Sequence, residues 1–512
     1  MSIGRRPCDA AGVPDHGHGE RLTAVDASFL QLESDSAHMH IAWSAILSPP
    51  DDGTRATIDA LRERVSSRLE WVPRCRQRLL SAPLGLDEPR WVDDPDFDVA
   101  RHVVQLSGPD EAISPARFAA IRDTRLSTPL DRAAPLWELA LIPRLSNGSA
   151  AVVGRVHHAM ADGAAALQVA MLMLDVDGPP DAPPAPWHAA APPSSLQRAL
   201  DPFVHGAERT SRAARDVARA CEHPRTAARG ALRDLGRMAQ ALTEDLLPSA
   251  PRSPLNGPLG PRRTLVQHRV SLEQLSEITR GTASTRNDAG LAAVAGALRA
   301  LAREQNLPTE PLKALVPVNV RRAHEYGALG NRVSMTSVWL PLQLSTPGAR
   351  LEHVHEQTAR FKRSARSEGA ESVISGLSLL PSALRAPVLR AVTPGRFNLT
   401  ISSVPGPPGA LFMQGARLEE IYPVIPMAEE QTLSIGMLAY NGHLHFGLYA
   451  DPDALPPATR LAELIDDELQ ALLRARRPRA PLPVVAPATA GPVGTYANRS
   501  AVLSAAGRGG HA

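Results

Sequence analysis

The sequence predicts an α+β protein built as two domains, and three observations lead to that reading. At 512 residues the chain exceeds what one ordinary core fills. Helical and strand patterns follow one another irregularly, without the strict alternation that builds a doubly wound parallel sheet. Seven prolines fall between Pro179 and Pro193, a composition suited to an extended linker. The chain therefore divides into a first domain over 21–178 and a second over 260–476. A proline-rich linker and basic helical segment occupy 179–259. The ends, 1–20 and 477–512, are rich in Gly, Pro and Ala and read as mobile.

In the first half, Ile58, Leu61, Val65 and Leu69 recur at helical spacing, and ISPARFAAIRDTRLS over 113–127 reads as a second helix. WELALI at 137–142 and AAVVGRV at 150–156 flank Asn147-Gly148, a strong hairpin signal. The second of these strands runs into HHAMADG, after which GAAALQVAMLMLD reads as a buried helix. The second half has a helix opened by Asn287-Asp288 and strands KALVPVNV, RVSMTSVWLPL and RFNLTISSV. It closes on a hairpin, TLSIGMLAY and HLHFGLYAD, around Asn441-Gly442. No short-period repeat interrupts either half.

Composition narrows the function. Hydrophobic residues at 43% and charged residues at 21% give a globular profile. A net charge of +2 provides no bulk attraction for nucleic acid. Cys8, Cys75 and Cys221 are odd in number and lack metal-ligand spacing, so they read as free thiols in a reducing cytosol. The N-terminus has no apolar signal core, and no stretch approaches eighteen apolar residues, so any membrane contact is expected to be peripheral.

The chemistry concentrates in VHHAMADGAAALQV, where His157, His158, Asp162 and Gly163 stand in the order H-H-x-x-x-D-G. Two adjacent histidines at a strand end cannot point the same way. One can face a cavity while the other packs or bonds to the backbone. Imidazole titrates near neutrality, so the one in the cavity can take a proton from a hydroxyl and return it. Asp162 is short enough to fix the turn through a salt bridge, and Gly163 allows a close backbone approach. A metal site is the competing reading, but no HExxH or CxxC supplies further ligands, and His324, His353 and His355 read as surface residues.

With these residues in hand, the sequence resembles the H-H-x-x-x-D-G coenzyme-A-dependent acyltransferase superfamily, and within it the bacterial wax ester synthase / diacylglycerol acyltransferase family. LTAVDASFLQLES at 22–34, Met39-His40, PLGLDEPRWVDDPDFDVARHV at 83–103, PLDRAAPLWE at 129–138 and PLNGPLGPRR at 254–263 carry the resemblance. NDAG at 287–290, LVPVNVR at 315–321, LGNRVSM at 329–335, NLTISSVPGP at 398–407, YPVIP at 422–426 and YNGHLHFGLYADPD at 440–453 continue it in collinear order. Two departures stand out: Ser403 occupies a position where the family usually has Asn, and Glu429-Glu430 replace a more typical Asp-Gly.

The resemblance implies two chloramphenicol-acetyltransferase-like domains, each a mixed sheet with helices, and an active site in the channel between them. It implies His158 as general base, with His157 orienting. Asp162 becomes structural support, with Arg321 as the expected partner and Arg332 as runner-up. Asn398 and Ser402 are candidate oxyanion or channel residues, against the alternative that they satisfy backbone groups. Pro135 and Trp137 are candidates for the acyl path, against the alternative that Trp137 is core. No cofactor is implied, because acyl-CoA is a substrate.

The implied reaction moves a long acyl chain to diacylglycerol or a long-chain alcohol. A different hydroxylated acceptor, or an idle lipid-binding protein, are the alternatives. Over 195–248, Arg198, Arg209, Arg212, Arg215, Arg219, Arg225, Arg229, Arg233 and Arg237 alternate with apolar residues. That segment is the expected contact with an anionic membrane or lipid droplet, against the alternative of a solvated face. The protein is then expected in the cytoplasm, partly on the inner face of the membrane.

Overall fold

The computed structural model describes residues 19–49, 55–83, 87–161, 166, 169–175, 187–225, 228–229, 248–319, 333–363, 385, 395–404, 406–407, 409–455 and 458–476. Its strands in the first half are β1 (Glu20–Arg21), β2 (His40–Leu47), β3 (Gln77–Leu80), β4 (Arg90–Asp93), β5 (Val103–Gln105), β6 (Trp137–Ile142) and β7 (Ala150–His157). In the second half they are β8 (Thr264–Ser271), β9 (Leu312–Asn319), β10 (Val333–Leu340), β11 (Leu399–Val404), β12 (Phe412–Met413), β13 (Ala416–Val424), β14 (Leu433–Tyr440) and β15 (His443–Ala450). The longer helices are α1 (Ala24–Leu32), α2 (Ile58–Arg68), α3 (Pro115–Leu126), α4 (Ser195–Glu222), α5 (Leu272–Thr279), α6 (Arg286–Glu304), α7 (Pro347–Arg363) and α8 (Ala458–Arg476).

Side-chain caps explain where the helices begin. Thr57, Ser114 and Thr285 each accept a backbone N–H from the first turn, and Thr285 with Asp288 completes a reciprocal capping box. α6 (AGLAAVAGALRAL) is buried along most of its length, packed between sheet and helix, which small side chains permit. Asn441 and Gly442 take φ of 45° and 74°, the paired left-handed conformations of a two-residue hairpin turn between β14 and β15. Asn147-Gly148 likewise lies in the turn joining antiparallel β6 and β7, closed by the Leu145 N–H donating to the Ser149 carbonyl at 2.7 Å, with Gly148 at φ 86°. Regular strand pairing ends at Ile142↔Ala151, and Leu145 bridges Ile113 beyond it. Of the expected buried helix after the histidines, Ala166 and Val169–Met171 are helical, with Ala166, Val169 and Ala170 buried.

Two six-stranded mixed sheets result, in the orders β12-β13-β2-β7-β6-β5 and β10-β9-β11-β14-β15-β8, with a small sheet β1-β4-β3 beside the first. The first sheet crosses the boundary expected at the linker. β13 belongs in sequence to the second half, yet it pairs antiparallel with β2 in the register Tyr422↔Ser44 and Val424↔Ala42. The apolar run of β13 can be satisfied by either sheet, and proximity in the fold, not in sequence, decides which. Pro423 then lies over the second sheet. Its carbonyl sits where a Cβ on Gly447 or Gly436 would fall, at 1.9 and 2.7 Å. These two glycines face each other across β14 and β15. Bare backbone at both positions lets the two sheets meet.

A core shared by the halves seals this junction. It joins Ala42, Phe118, Leu126, Ala140, Ile142 and Val153 to Leu265, Val424, Met427 and Tyr449. Polar ties flank it: Thr264 Oγ1 donates to Asp123 at 2.8 Å, Gln267 to Ser44 at 2.9 Å, and Tyr449 to the Leu126 carbonyl at 3.1 Å.

Candidate active site

β2 and β7 run antiparallel in the middle of the first sheet, and their register sets His40 directly opposite His157. Both histidines stand at the same end of the sheet, where α1 ends. Glu33 caps the C-terminal end of that helix, its N–H donating to the Phe29 carbonyl. A carboxylate there opposes the helix dipole, so local preference did not place it. Arg132 compensates: its Nε donates to Glu33 Oε2 at 2.7 Å, and its Nη2 donates to the Leu30 carbonyl at 3.0 Å and to Glu33.

Hydrogen bonding assigns the imidazoles. The Ala159 N–H donates to His157 Nδ1 at 3.0 Å, so that nitrogen carries no proton. The proton of His157 is then on Nε2, which faces Glu33 Oε1 at 3.5 Å. The Leu130 N–H points at His40 Nε2 at 3.3 Å, which makes that atom an acceptor. Its 3.8 Å approach to Glu33 is therefore no ion pair, and burial holds the His40 pKa well below the usual imidazole range. Burial alone would raise the Glu33 pKa, but its His157 and Arg132 neighbours outweigh that and lower it to about 2.

His157, only 1% exposed, thus has Nδ1 engaged by the backbone and Nε2 turned toward Glu33 without a closed hydrogen bond. Its N–H also donates to the Leu136 carbonyl at 2.9 Å, and its carbonyl accepts from Met160 at 2.9 Å. His158 is placed differently. Its backbone is pinned by a 2.8 Å bond from its N–H to the Met39 carbonyl, while its ring lies half-buried against Phe29, stacked at 3.8 Å. Behind them β7 is stiffened by Arg155, which donates to Glu138 at 3.0 Å and to the Arg125 and Thr128 carbonyls at 2.7 and 2.6 Å. Arg263, from the second half, donates to the Ser36 carbonyl in the segment that leads into β2. The histidines therefore sit beside the junction of the two halves.

The other expected site residues divide. Asp162, Gly163, Arg321 and Arg332 lie outside the described residues, as does His324. Asn398 is corrected: it is fully buried and spent on structure, its Oδ1 accepting from Lys313 N and its Nδ2 donating to the Pro251 carbonyl and Asn256 Oδ1. No donor of that side chain is left for an oxyanion. Trp137 is likewise core, 1% exposed, with its indole N–H donating to the Cys75 carbonyl at 2.8 Å. Pro135 is buried beside it. Ser402 is half-buried on β11 opposite Gly436, and its hydroxyl makes no hydrogen bond among the described residues. His355, expected at the surface, lies against buried Asp288 at 3.0 Å. Glu33, Phe29, His40 and Arg132 received no role from the sequence, although a carboxylate at a helix C-terminus was a visible signal. Among the described residues no three His, Cys, Asp or Glu side chains form a metal-binding group.

Comparison with known proteins decides the family. Residues 22–290 match the wax ester synthase/diacylglycerol acyltransferase catalytic domain, and residues 329–473 match the C-terminal domain of the same family. The chain belongs to the wax ester synthase/diacylglycerol acyltransferase family. Membership makes it an acyltransferase, with diacylglycerol or a long-chain alcohol as the acceptor class. A probable diacylglycerol O-acyltransferase of Mycobacterium tuberculosis is 30% identical over 461 residues, covering 88% of this chain and 95% of its own. A second from that species is 32% identical over 475 residues, covering 88% and 98%. Among solved structures, the wax ester synthase/diacylglycerol acyltransferase from Marinobacter aquaeolei VT8 superposes with a TM-score of 0.61 at 24% identity, over 89% of this chain and 99% of that one. The starter condensation domain of rhizomide synthetase, solved in complex with C8-CoA and Leu-SNAC, gives 0.55 at 15% identity, over 89% and 94%. These superpositions agree with the two-domain α+β fold that the sequence predicts. The family's catalytic-domain match runs through the linker to residue 290, past the boundary at 178.

Proposed function

We propose that this acyltransferase takes its acyl group from acyl-CoA and uses His158 as the general base. The observation that carries the assignment is the contrast within the pair: His157 is buried with Nδ1 held by the Ala159 N–H, whereas the His158 ring is half-buried at the strand end beside Phe29. In the proposed step, a nitrogen of His158 takes the hydroxyl proton of the acceptor as its oxygen attacks the thioester carbonyl. Collapse of the tetrahedral intermediate breaks the C–S bond. The proton passes from His158 to the departing thiolate, so the products are an ester and free coenzyme A. Ser402 is the remaining candidate donor to the oxyanion. Asp162 supports the turn that follows the histidines.

The acceptors are insoluble in water, and no described helix is long and apolar enough to cross a membrane. The enzyme therefore meets diacylglycerol or fatty alcohol at a membrane or droplet surface, from the cytoplasmic side. Release of free thiol from palmitoyl-CoA, measured with dioleoylglycerol, hexadecanol or short alcohols, tests the reading. Thiol release that no acceptor stimulates refutes it.

A further inference from the structure

We infer that the outward face of α4 is a lipid-insertion surface, anchored by Leu196, Leu200, Phe203 and Val204. This deepens the membrane contact proposed above and rests on that reading. α4 begins with a full capping box, in which Ser194 and Gln197 satisfy each other's backbone donors, so its first turns are well defined. A 2.9 Å ion pair between Asp201 and Arg90 fastens the helix to the body. Arg198 and Asp201, half-buried, therefore mark its inner side.

At about 100° per residue, Leu196, Leu200, Phe203 and Val204 share one arc, turned away from Arg198 and Asp201. Their exposures are 69%, 51%, 71% and 51%. Six large apolar side chains are exposed among the described residues, and four of them are on this arc. That clustering is the mark of an interaction surface, where single exposed apolar residues are ordinary. Exposed Ala207, Ser211, Ala214 and Ala218 continue the arc, and exposed Arg215 and Arg219 border it.

Charge and size identify the occupant. Beyond Val204 the stripe is alanine and serine, too short to supply the interlocking knobs of a helical zipper with a second copy. Self-pairing would also bring bordering arginines toward their equivalents. An anionic lipid surface accepts both features at once: acyl chains receive the four large side chains, and headgroups meet the arginines. The sequence pointed to arginine-driven contact. The structure moves the anchor to the first three turns and leaves the arginines as a rim.

The test uses the full chain and co-sedimentation with vesicles of phosphatidylcholine alone, or of phosphatidylcholine and phosphatidylglycerol in equal parts. Leu200→Ser with Phe203→Ser should weaken partition to both vesicle types by about tenfold or more. Arg215→Gln with Arg219→Gln should weaken it only with phosphatidylglycerol, and salt should reproduce that smaller loss. A Phe203→Trp variant should shift its emission to the blue on vesicle addition. Unchanged partition of the serine variant, or an unshifted spectrum, overturns the inference. So does a lipid-free dimer that the serine pair dissociates, which would seat a second copy on this face. Thiol release with a short soluble alcohol separates the two readings. The serine variant should retain it, and its absence in the wild-type protein would refute the chemistry whatever the vesicles show.

Discussion

Replacing Glu33 with Gln tests whether a buried carboxylate holds the histidine pair in register. Glu33 accepts from Arg132 at 2.7 Å and lies 3.5 Å from the proton-bearing Nε2 of His157. Arg132 is about half exposed and can rehydrate, so its loss of partner costs little. The His157 Nε2–H is buried, and a weakened partner there costs about 1–3 kcal/mol. Because the same imidazole accepts from Ala159, the loss reaches the turn that carries His158. We expect kcat to fall by about 5–100-fold, with KM for acyl-CoA little changed.

A second readout comes from pH. The folded pKa of Glu33, about 2, lies below its ordinary value of 4.5, so its contribution to stability is complete above pH 4.5 and is lost as pH falls through about 2. After solvent screening that contribution is on the order of 2 kcal/mol. Urea denaturation should therefore separate wild type from Glu33→Gln at pH 7 and bring them together as pH is lowered toward 2. A variant with kcat within twofold of wild type, or a stability gap independent of pH, refutes the argument.

His158→Ala should lower thiol release by about 10²–10⁴-fold while leaving the denaturation curve near wild type. His157→Ala should lose stability as well as rate, since Ala159 N–H and Glu33 both lose a buried partner; circular dichroism melts beside the thiol assay separate the two variants. Asn398→Ala should lower the melting temperature and spare kcat per folded molecule, since its bonds tie β9, β11 and the loop at Pro251 together. Glu138→Ala should cost about 3–5 kcal/mol in chemical denaturation, because it leaves the Arg155 guanidinium, 2% exposed, without its carboxylate.

Legibility in the sequence followed the range of the interactions. The H-H-x-x-x-D-G motif is contiguous and the Asn441-Gly442 turn acts over two to four residues, so local pattern located both, whereas the caps Thr57, Ser114 and Thr285 were not singled out. Glu33 and His157 stand far apart in sequence, and a register that sets His40 opposite His157 exists only once β2 and β7 pair. Asn398 misled for a related reason. A polar residue in a strand next to V-P-G-P suits a catalytic donor, but whether it donates inward to backbone or outward to substrate depends on Pro251 and Asn256, more than a hundred residues away. The destination of β13 was hidden because its apolar end, residues 421–424, does not specify which sheet will accept it.

That strand ties the second half to the sheet that carries the histidines. β2 carries His40 at one end and takes β13 along its open edge, while Pro423 of β13 rests on the bare backbone of Gly436 and Gly447. Arg263 reaches from the second half to Ser36, a few residues from Glu33 and His40. A displacement of the second sheet is thereby transmitted to the segment from Glu33 to His40, which orients His157. Interdigitation of this kind makes the junction rigid where the histidines lie. A loosely tethered second half would instead leave the segment from Ser36 to His40 without its tie at Arg263. The crossing strand therefore helps fix the sheet and the segment on which the histidine pair stands.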